Sequence, residues 1–330
     1  MTGKSLGAAV FAALVAGAPG TQAADKINYL LNWVPGGDHA PYFFARERGW
    51  YRDAGLDVTI ETGKGSAVSA QRVGLGTTQL ALSDLATGIV AKGKGADLTA
   101  VMVVYANAPY GIYWQKSSGI TGPKDFPGKK LGNPPGDAAR VMWPAFAKAV
   151  GIPVDSVTFV NISPQAKLAA LQSGSIDLTT DFYNGHDVKI REMGDNMGYL
   201  LWKDAGINTY GNAILANGEY LRKNRDAVGK FVGVTQRAFA ACVKEEGACI
   251  DALLKNASGL KREEHLDQWK RVKELMTDAT TTTVALGAFD PARVQADYKL
   301  VDTYFGVEKP FPAETVFTNE FLDKTVKMSK

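Results

Sequence analysis

The stretch LNWVPGGDHAPYFFARERGWYRDAGLDVTI, residues 31–60, constrains the fold of this chain more than any other. It reads as the end of a strand, a Gly-rich loop, a helix, a Gly stop and a second strand. Ile27, Tyr29, Leu30 and Leu31 make an apolar run suited to a buried strand. Pro35, Gly36, Gly37 and Asp38 break it, and the spacing predicts a helix over residues 41–52. Gly55 ends that unit, after which Leu56, Val58 and Ile60 alternate with Asp57, Thr59 and Glu61 as a strand requires. A βαβ unit places its strand-to-helix loop at the carboxyl edge of a parallel sheet, where open α/β folds bind ligands. Trp33, Asp38 and His39 lie on that loop.

The alternation continues to about residue 215 and predicts an α/β fold with mostly parallel sheets. Strands are expected at 27–31, 57–61, 80–83, 98–105, 130–131, 158–160, 178–180 and 200–202, with helices at 41–52, 66–74, 84–92, 138–150, 164–172 and 188–193. Beyond Glu219 the spacing turns to long helices at 219–246, 249–256, 261–277 and 291–305. A chain of this length, 330 residues, buries a large core and divides into lobes. Residues 1–24 have the make-up of an export signal: Lys4, then small apolar residues over 6–15, then Thr21-Gln22-Ala23 before a cleavage site. The expected compartment is the bacterial periplasm. Removal of Lys4 takes the formal charge from +3 to +2, which gives no reason to expect nucleic acid as a partner.

Cys242 and Cys249 are the two cysteines. In an unbroken helix their spacing separates the Cα atoms by about 10 Å, beyond the roughly 7 Å that a disulfide spans. A bridge therefore requires the helix to end before Cys249, and Glu246-Gly247 offers such a place. Two readings stand: a bridge stapling a helix-to-helix turn, or two free thiols in the core. Neither cysteine has metal-ligand spacing with His39, His186 or His265, so no metal and no cofactor are expected.

Four clusters carry binding chemistry. Asn32, Trp33, Asp38 and His39 set a flat apolar face beside hydrogen-bonding groups, suited to a planar ligand with a polar edge. Ser83 and Asp84 stand before a helix, where they serve as caps or receive a ligand beside free N–H groups. In GNPPGDAAR the backbone at Asp137 and Ala138 opens a helix, and Arg140 follows within its first turn as a cationic partner for a carboxylate. Asp181, Phe182, Tyr183 and Asn184 follow a strand and combine rings with polar tips. His186 reads as solvent-exposed or structural. Trp114, Trp143, Trp202 and Trp269 read as core.

Trp33, Pro35 and His39, followed by Gly49, Trp50, Tyr51, Gly55, Leu56 and Val58, resemble the opening of periplasmic solute-binding proteins of the thiamine-pyrimidine, sulfonate and nitrate type (NMT1/THI5-like). The resemblance continues through residues 80–101, 126–152, 167–182 and 317–322. It implies a two-lobed, type II periplasmic binding protein fold, each lobe a mostly parallel sheet flanked by helices. Lobe 1 would hold 25–108 and 212–330, and lobe 2 would hold 109–211, with crossovers at 105–116 and 205–217. It further implies a monomer that captures a small solute in the interlobe cleft and hands it to the permease of an ABC importer. Aromatic side chains in the loops favour a planar solute such as a pyrimidine or an aromatic carboxylate, and backbone amides would suit a short sulfonate. The fungal thiamine-pyrimidine synthases share this resemblance, but need a cofactor-bearing Lys and a Cys/His-rich iron cluster that this sequence lacks. The expected function is therefore binding, not catalysis.

Overall fold

The structure, a computed structural model, describes residues 1–3 and 23–329. The predicted export signal lies almost wholly outside these. Among the described residues, ten strands form two five-stranded sheets. β1 (Asp25–Leu30), β2 (Leu56–Glu61), β3 (Leu80–Asp84), β4 (Leu98–Val103) and β10 (Asn212–Asn217) make the first, in the order β2-β1-β3-β10-β4. β5 (Tyr110–Gln115), β6 (Lys130–Gly132), β7 (Thr158–Val160), β8 (Leu178–Phe182) and β9 (Met197–Leu201) make the second, in the order β7-β6-β8-β5-β9. Helices flank both sheets, giving a two-lobed α/β architecture.

The expectation of mostly parallel sheets is corrected. β1 pairs in parallel with β2 and β3, but β10 runs antiparallel to both β3 and β4. Likewise β6 is parallel to β7 and β8, while β5 is antiparallel to β8 and β9. The cause is the chain's two crossings. β5 and β10 lie within the crossover segments, so each enters its sheet from the carboxyl edge of the parallel strands and runs against them.

Several predicted helices divide where the backbone demands it. The helix expected at 41–52 becomes Ala40–Glu47 and Trp50–Asp53, parted by Gly49 at φ 72°, a conformation that favours glycine. The one at 138–150 becomes Ala138–Val141 and Trp143–Ala149, the second opening with Pro144, which has no N–H to offer the preceding turn. The first of the long patterns, expected at 219–246, begins as Gly218–Lys223 and resumes as Arg225–Lys244.

Trp114, Trp143, Trp202 and Trp269 are all buried, as read from sequence. Trp202 stacks on Phe146 at 4.5 Å between centroids, and Tyr29, Tyr42, Phe231 and Phe239 fill the face of the first sheet. Each such side chain stabilises the fold by roughly 1.5–3 kcal/mol on burial. Cys242 and Cys249 are joined in a disulfide with Cα atoms 5.4 Å apart. The helix Arg225–Lys244 stops one residue before Glu245, and a new helix, Glu246–Asn256, carries Cys249. The break that the spacing argument required is therefore present, slightly earlier than Glu246-Gly247.

Two buried carboxylates stand beside the crossover segments. Asp84 accepts the Tyr110 hydroxyl at 2.5 Å and caps the helix Leu85–Gly93 through the Thr87 N–H. Burial pushes it up to about 6 against those bonds. Asp297 accepts the Tyr210 N–H at 2.9 Å, and burial pushes it up to about 8. A carboxyl whose pKa is higher folded than unfolded binds more protons when folded, so its stabilisation fades as pH rises through the folded value. The unfolding temperature is expected to fall between pH 7 and 9, and Asp297→Asn is expected to flatten that slope. Calorimetric scans across this range check it, and an unchanged slope in the variant would refute the assignment.

Candidate ligand-binding cleft

The loops after the parallel strands of both sheets converge on a cleft of about 250 Å³. From the first sheet come the β1 loop, with Asn32, Trp33, Asp38 and His39, and Ser66 after β2. Asp137 and Ala138 follow β6, Gln165 and Lys167 follow β7, and Asp181, Phe182, Asn184 and Lys189 follow or end β8. Glu264 and Gln268, from the helix Arg262–Met276, close one side.

The β1 loop is held by a directed hydrogen-bond chain. The Gly36 N–H donates to His39 Nδ1 at 3.1 Å, which leaves the ring proton on Nε2. His39 Nε2 then donates to Asn32 Oδ1 at 3.0 Å, and Asn32 Nδ2 donates to Asn212 Oδ1 at 3.0 Å. Burial lowers the His39 pKa against the opposing charge of Asp38, so the imidazole is neutral near pH 7. The Gly37 N–H donates to Gln268 Oε1 at 2.8 Å and ties the loop to the helix beside it. Trp33 is left half-buried with a face open to the cleft.

Across the cleft, charges pair among themselves. Lys167 is only 3% exposed, with its Nζ 3.3 Å from Asp137 Oδ2 and 3.8 Å from Asp181 Oδ1. Lys189 Nζ is 2.6 Å from Asp181 Oδ2. Burial alone would raise the Asp181 carboxyl, but the two ammonium groups outweigh it and hold it at about 2. Burial would likewise depress Lys167, and Asp181 and Asp137 raise it instead. Asp137 also caps the helix Ala138–Val141, accepting from the N–H groups of Ala139 and Arg140. Lys167 Nζ lies 5.2 Å from the centre of the Trp33 ring.

The structure brings together Asn32, Trp33, Asp38, His39, Asp137, Ala138, Asp181, Phe182 and Asn184, and places four other predicted residues elsewhere. Ser83 is fully buried beneath the cleft, donating to the Ser66 and Asp84 carbonyls, and Asp84 turns to Tyr110 and its own helix cap. Arg140 turns away to Asn161 Oδ1 and the Phe159 ring. Tyr183 turns outward, its hydroxyl accepting from Arg271 Nη1 at 2.7 Å. The cations of the cleft are Lys167 and Lys189, which sequence reasoning passed over. Both sit in the opening turns of helices that follow cleft loops, a position that was available as a signal. His186 is buried against the rings of Tyr183 and Tyr199, as a structural residue would be.

The two sides of the cleft touch at its rim. The Ala67 N–H donates to the Gly136 carbonyl at 3.3 Å, and a Cβ on Gly136 would lie 3.0 Å from the Lys64 carbonyl oxygen. Elsewhere Arg271 grips Asp187 with two parallel bonds, Nε to Oδ2 at 2.7 Å and Nη2 to Oδ1 at 2.8 Å. Arg191 pairs with Asp267 beside them. Among the described residues no group of three or more His, Cys, Asp or Glu is placed to share a metal ion.

Known proteins share this architecture. A protein of Bordetella bronchiseptica RB50 superposes with a TM-score of 0.70 at 20% identity, over 90% of this chain and 95% of that one. The alkanesulfonate-binding protein SsuA of Xanthomonas axonopodis, bound to MOPS, gives 0.67 at 15% identity, over 90% and 99%. In sequence, a 4-amino-5-hydroxymethyl-2-methylpyrimidine phosphate synthase of Saccharomyces cerevisiae is 26% identical over 65% of this chain, a match that spans 66% of the yeast protein. A formylaminopyrimidine-binding protein of Halalkalibacterium halodurans is 21% identical over 90% of this chain and 91% of its own length. The sequence model described as NMT1/THI5 like matches residues 37–247, and the chain belongs to that family.

Proposed function

We propose that this chain is the solute-binding component of an ABC importer, working in the bacterial periplasm and delivering a small planar solute to a membrane permease. In this reading residues 25–108 with 212–330 and residues 109–211 are two lobes that close on the solute by bending at the crossovers. The observation that carries it is the cleft itself: an open Trp33 face and a fixed polar loop on one side, and a charge-paired wall from the other sheet opposite. The binding protein of Halalkalibacterium halodurans aligns over nine-tenths of both chains, which supports the same reading. Solute sites are built this way, with an apolar face for area and a few placed polar groups for orientation.

A synthase reading fits the residues less well. An imine-forming lysine is one that its surroundings keep neutral, whereas Asp137 and Asp181 stabilise the charge on Lys167. The cysteines are spent in the disulfide. Thermal shift of the mature protein against pyrimidines, aromatic carboxylates, alkanesulfonates, taurine and nitrate tests the proposal. One class is expected to raise the unfolding temperature, and Trp33→Ala is expected to weaken its binding about 10-fold or more, as for a buried aromatic anchor. No shift from any solute, with no co-purified ligand in a denatured extract, would contradict it, as would full binding by Trp33→Ala.

A further inference from the structure

Charge accounting in the cleft leaves one group without a partner. Asp137 and Asp181 are matched by Lys167 and Lys189, and Glu264 at the rim pairs with Lys261. Asp38 is 5% exposed and has no lysine or arginine partner among the described residues. His39 Nε2 lies 3.5 Å from its carboxylate, but the ring is neutral and its proton goes to Asn32. Buried charges in folded proteins are paired, because an isolated one is costly.

The groups around Asp38 supply no countercharge. Tyr29, Tyr42 and Tyr105 are fully buried and His265 nearly so, and none of the four lines the cleft. Burial and the Asp38 charge both raise the pKa of each of these tyrosines, so they stay neutral hydroxyls. His265 is 5% exposed and lies close enough to feel Asp38, Glu264 and His39. A tyrosine hydroxyl can donate to the carboxylate but brings no charge, so a positively charged group reaching Asp38 through the cleft is what would neutralise it, and an anion would not.

We infer that Asp38 is the counter-ion of the transported solute and that the solute is a planar nitrogen compound carrying a positive charge, such as an amidinium or a protonated amino-heterocycle, its charged edge at Asp38 and its ring on Trp33. The inference rests on the proposed solute-binding role. Trp33 already receives one cation, the Lys167 ammonium, over its ring, and aromatic faces attract cations. The aromatic carboxylates and short sulfonates expected from sequence would instead meet an unpaired carboxylate.

Two measurements test it on the whole mature protein, stripped of ligand by unfolding and refolding. Calorimetric titration compares benzamidine, benzamide and benzoate, which share a shape and differ in charge. Benzamidine is expected to bind about 100-fold more tightly than benzoate, and Asp38→Asn to erase most of that difference. Benzoate binding as well as benzamidine would overturn the inference while leaving a solute-binding protein. If none of the three binds, the thermal stability of ligand-free Asp38→Asn decides. A rise in unfolding temperature marks relief of an unpaired charge, and a fall marks a structural carboxylate and overturns the assignment. The solute-binding role fails separately, through the Trp33→Ala result.

Discussion

Gly136→Leu is expected to weaken solute binding by about 100-fold, close to 2.7 kcal/mol, while leaving the unfolding free energy of the ligand-free protein within about 1 kcal/mol. Gly136 meets the segment after β2 backbone to backbone, its carbonyl accepting from the Ala67 N–H. A Cβ there would already stand 3.0 Å from the Lys64 carbonyl oxygen and 3.2 Å from Val68 Cγ2, and a leucine needs room that this rim does not have. Its backbone does not require glycine, since Gly136 is absent from the positive-φ residues. The side chain therefore opposes closure without straining its own turn. The lobes would part to make room, and the Trp33 face and the Asp181 wall would no longer meet across one solute. Gly136→Ala is the graded control, with a smaller loss. Titration calorimetry and chemical denaturation of the same preparations check both halves. Unchanged affinity in Gly136→Leu would mean that the contact plays no part in capture.

Arg271→Met is expected to lower affinity about 10-fold, near 1.4 kcal/mol, chiefly through faster release. Arg271 lies on the helix Arg262–Met276, whose Trp269, Val272, Leu275 and Met276 join the core against the first sheet, and Asp187 lies on the helix His186–Met193, between β8 and β9 of the second sheet. Their two parallel bonds join the two proposed lobes, and Tyr183 adds a third to the same guanidinium. Arg271 holds the Asp187 carboxyl below its usual range, chiefly by hydrogen bonding, so the pair is ionised throughout the neutral range. Bidentate guanidinium–carboxylate pairs are among the stronger ion pairs, and this one is only about a quarter exposed. In the proposed closure, opening would break this pair, so its removal would favour the open state and affinity would fall with the closed population. Asp187→Asn is expected to act alike, and the double variant to lose little more than either single one. Stopped-flow release rates check this; additive losses would show that the two residues act apart.

The parts of the site that share one loop were legible from sequence, and those that depend on long-range packing were not. Asn32, Trp33, Asp38 and His39 lie within eight residues of chain after a strand, and the strand-to-helix rule locates them without further knowledge. Lys167 and Lys189 look like ordinary surface lysines of amphipathic helices. Only the folded chain shows Asp137 and Asp181 drawing them inward. Arg140 lies outside the cleft lining for the converse reason: it is one turn from the cleft in sequence, yet its position on the helix Ala138–Val141 directs it to Phe159 and Asn161. Ser83 and Asp84 were read at a helix entrance, where they are, but β10 pairs alongside β3 and covers them. The antiparallel strands β5 and β10 carry the same alternation of residues as parallel ones, so their direction is set by where the chain enters each sheet.

Small-angle X-ray scattering of the mature protein, with and without the solute found by thermal shift, tests most directly whether that solute is captured by closure between two lobes. Wild type is expected to contract on binding, with a smaller radius of gyration at saturation, and Gly136→Leu is expected to stay extended. A wild-type protein that binds its solute with no change in scattering would contradict capture by closure.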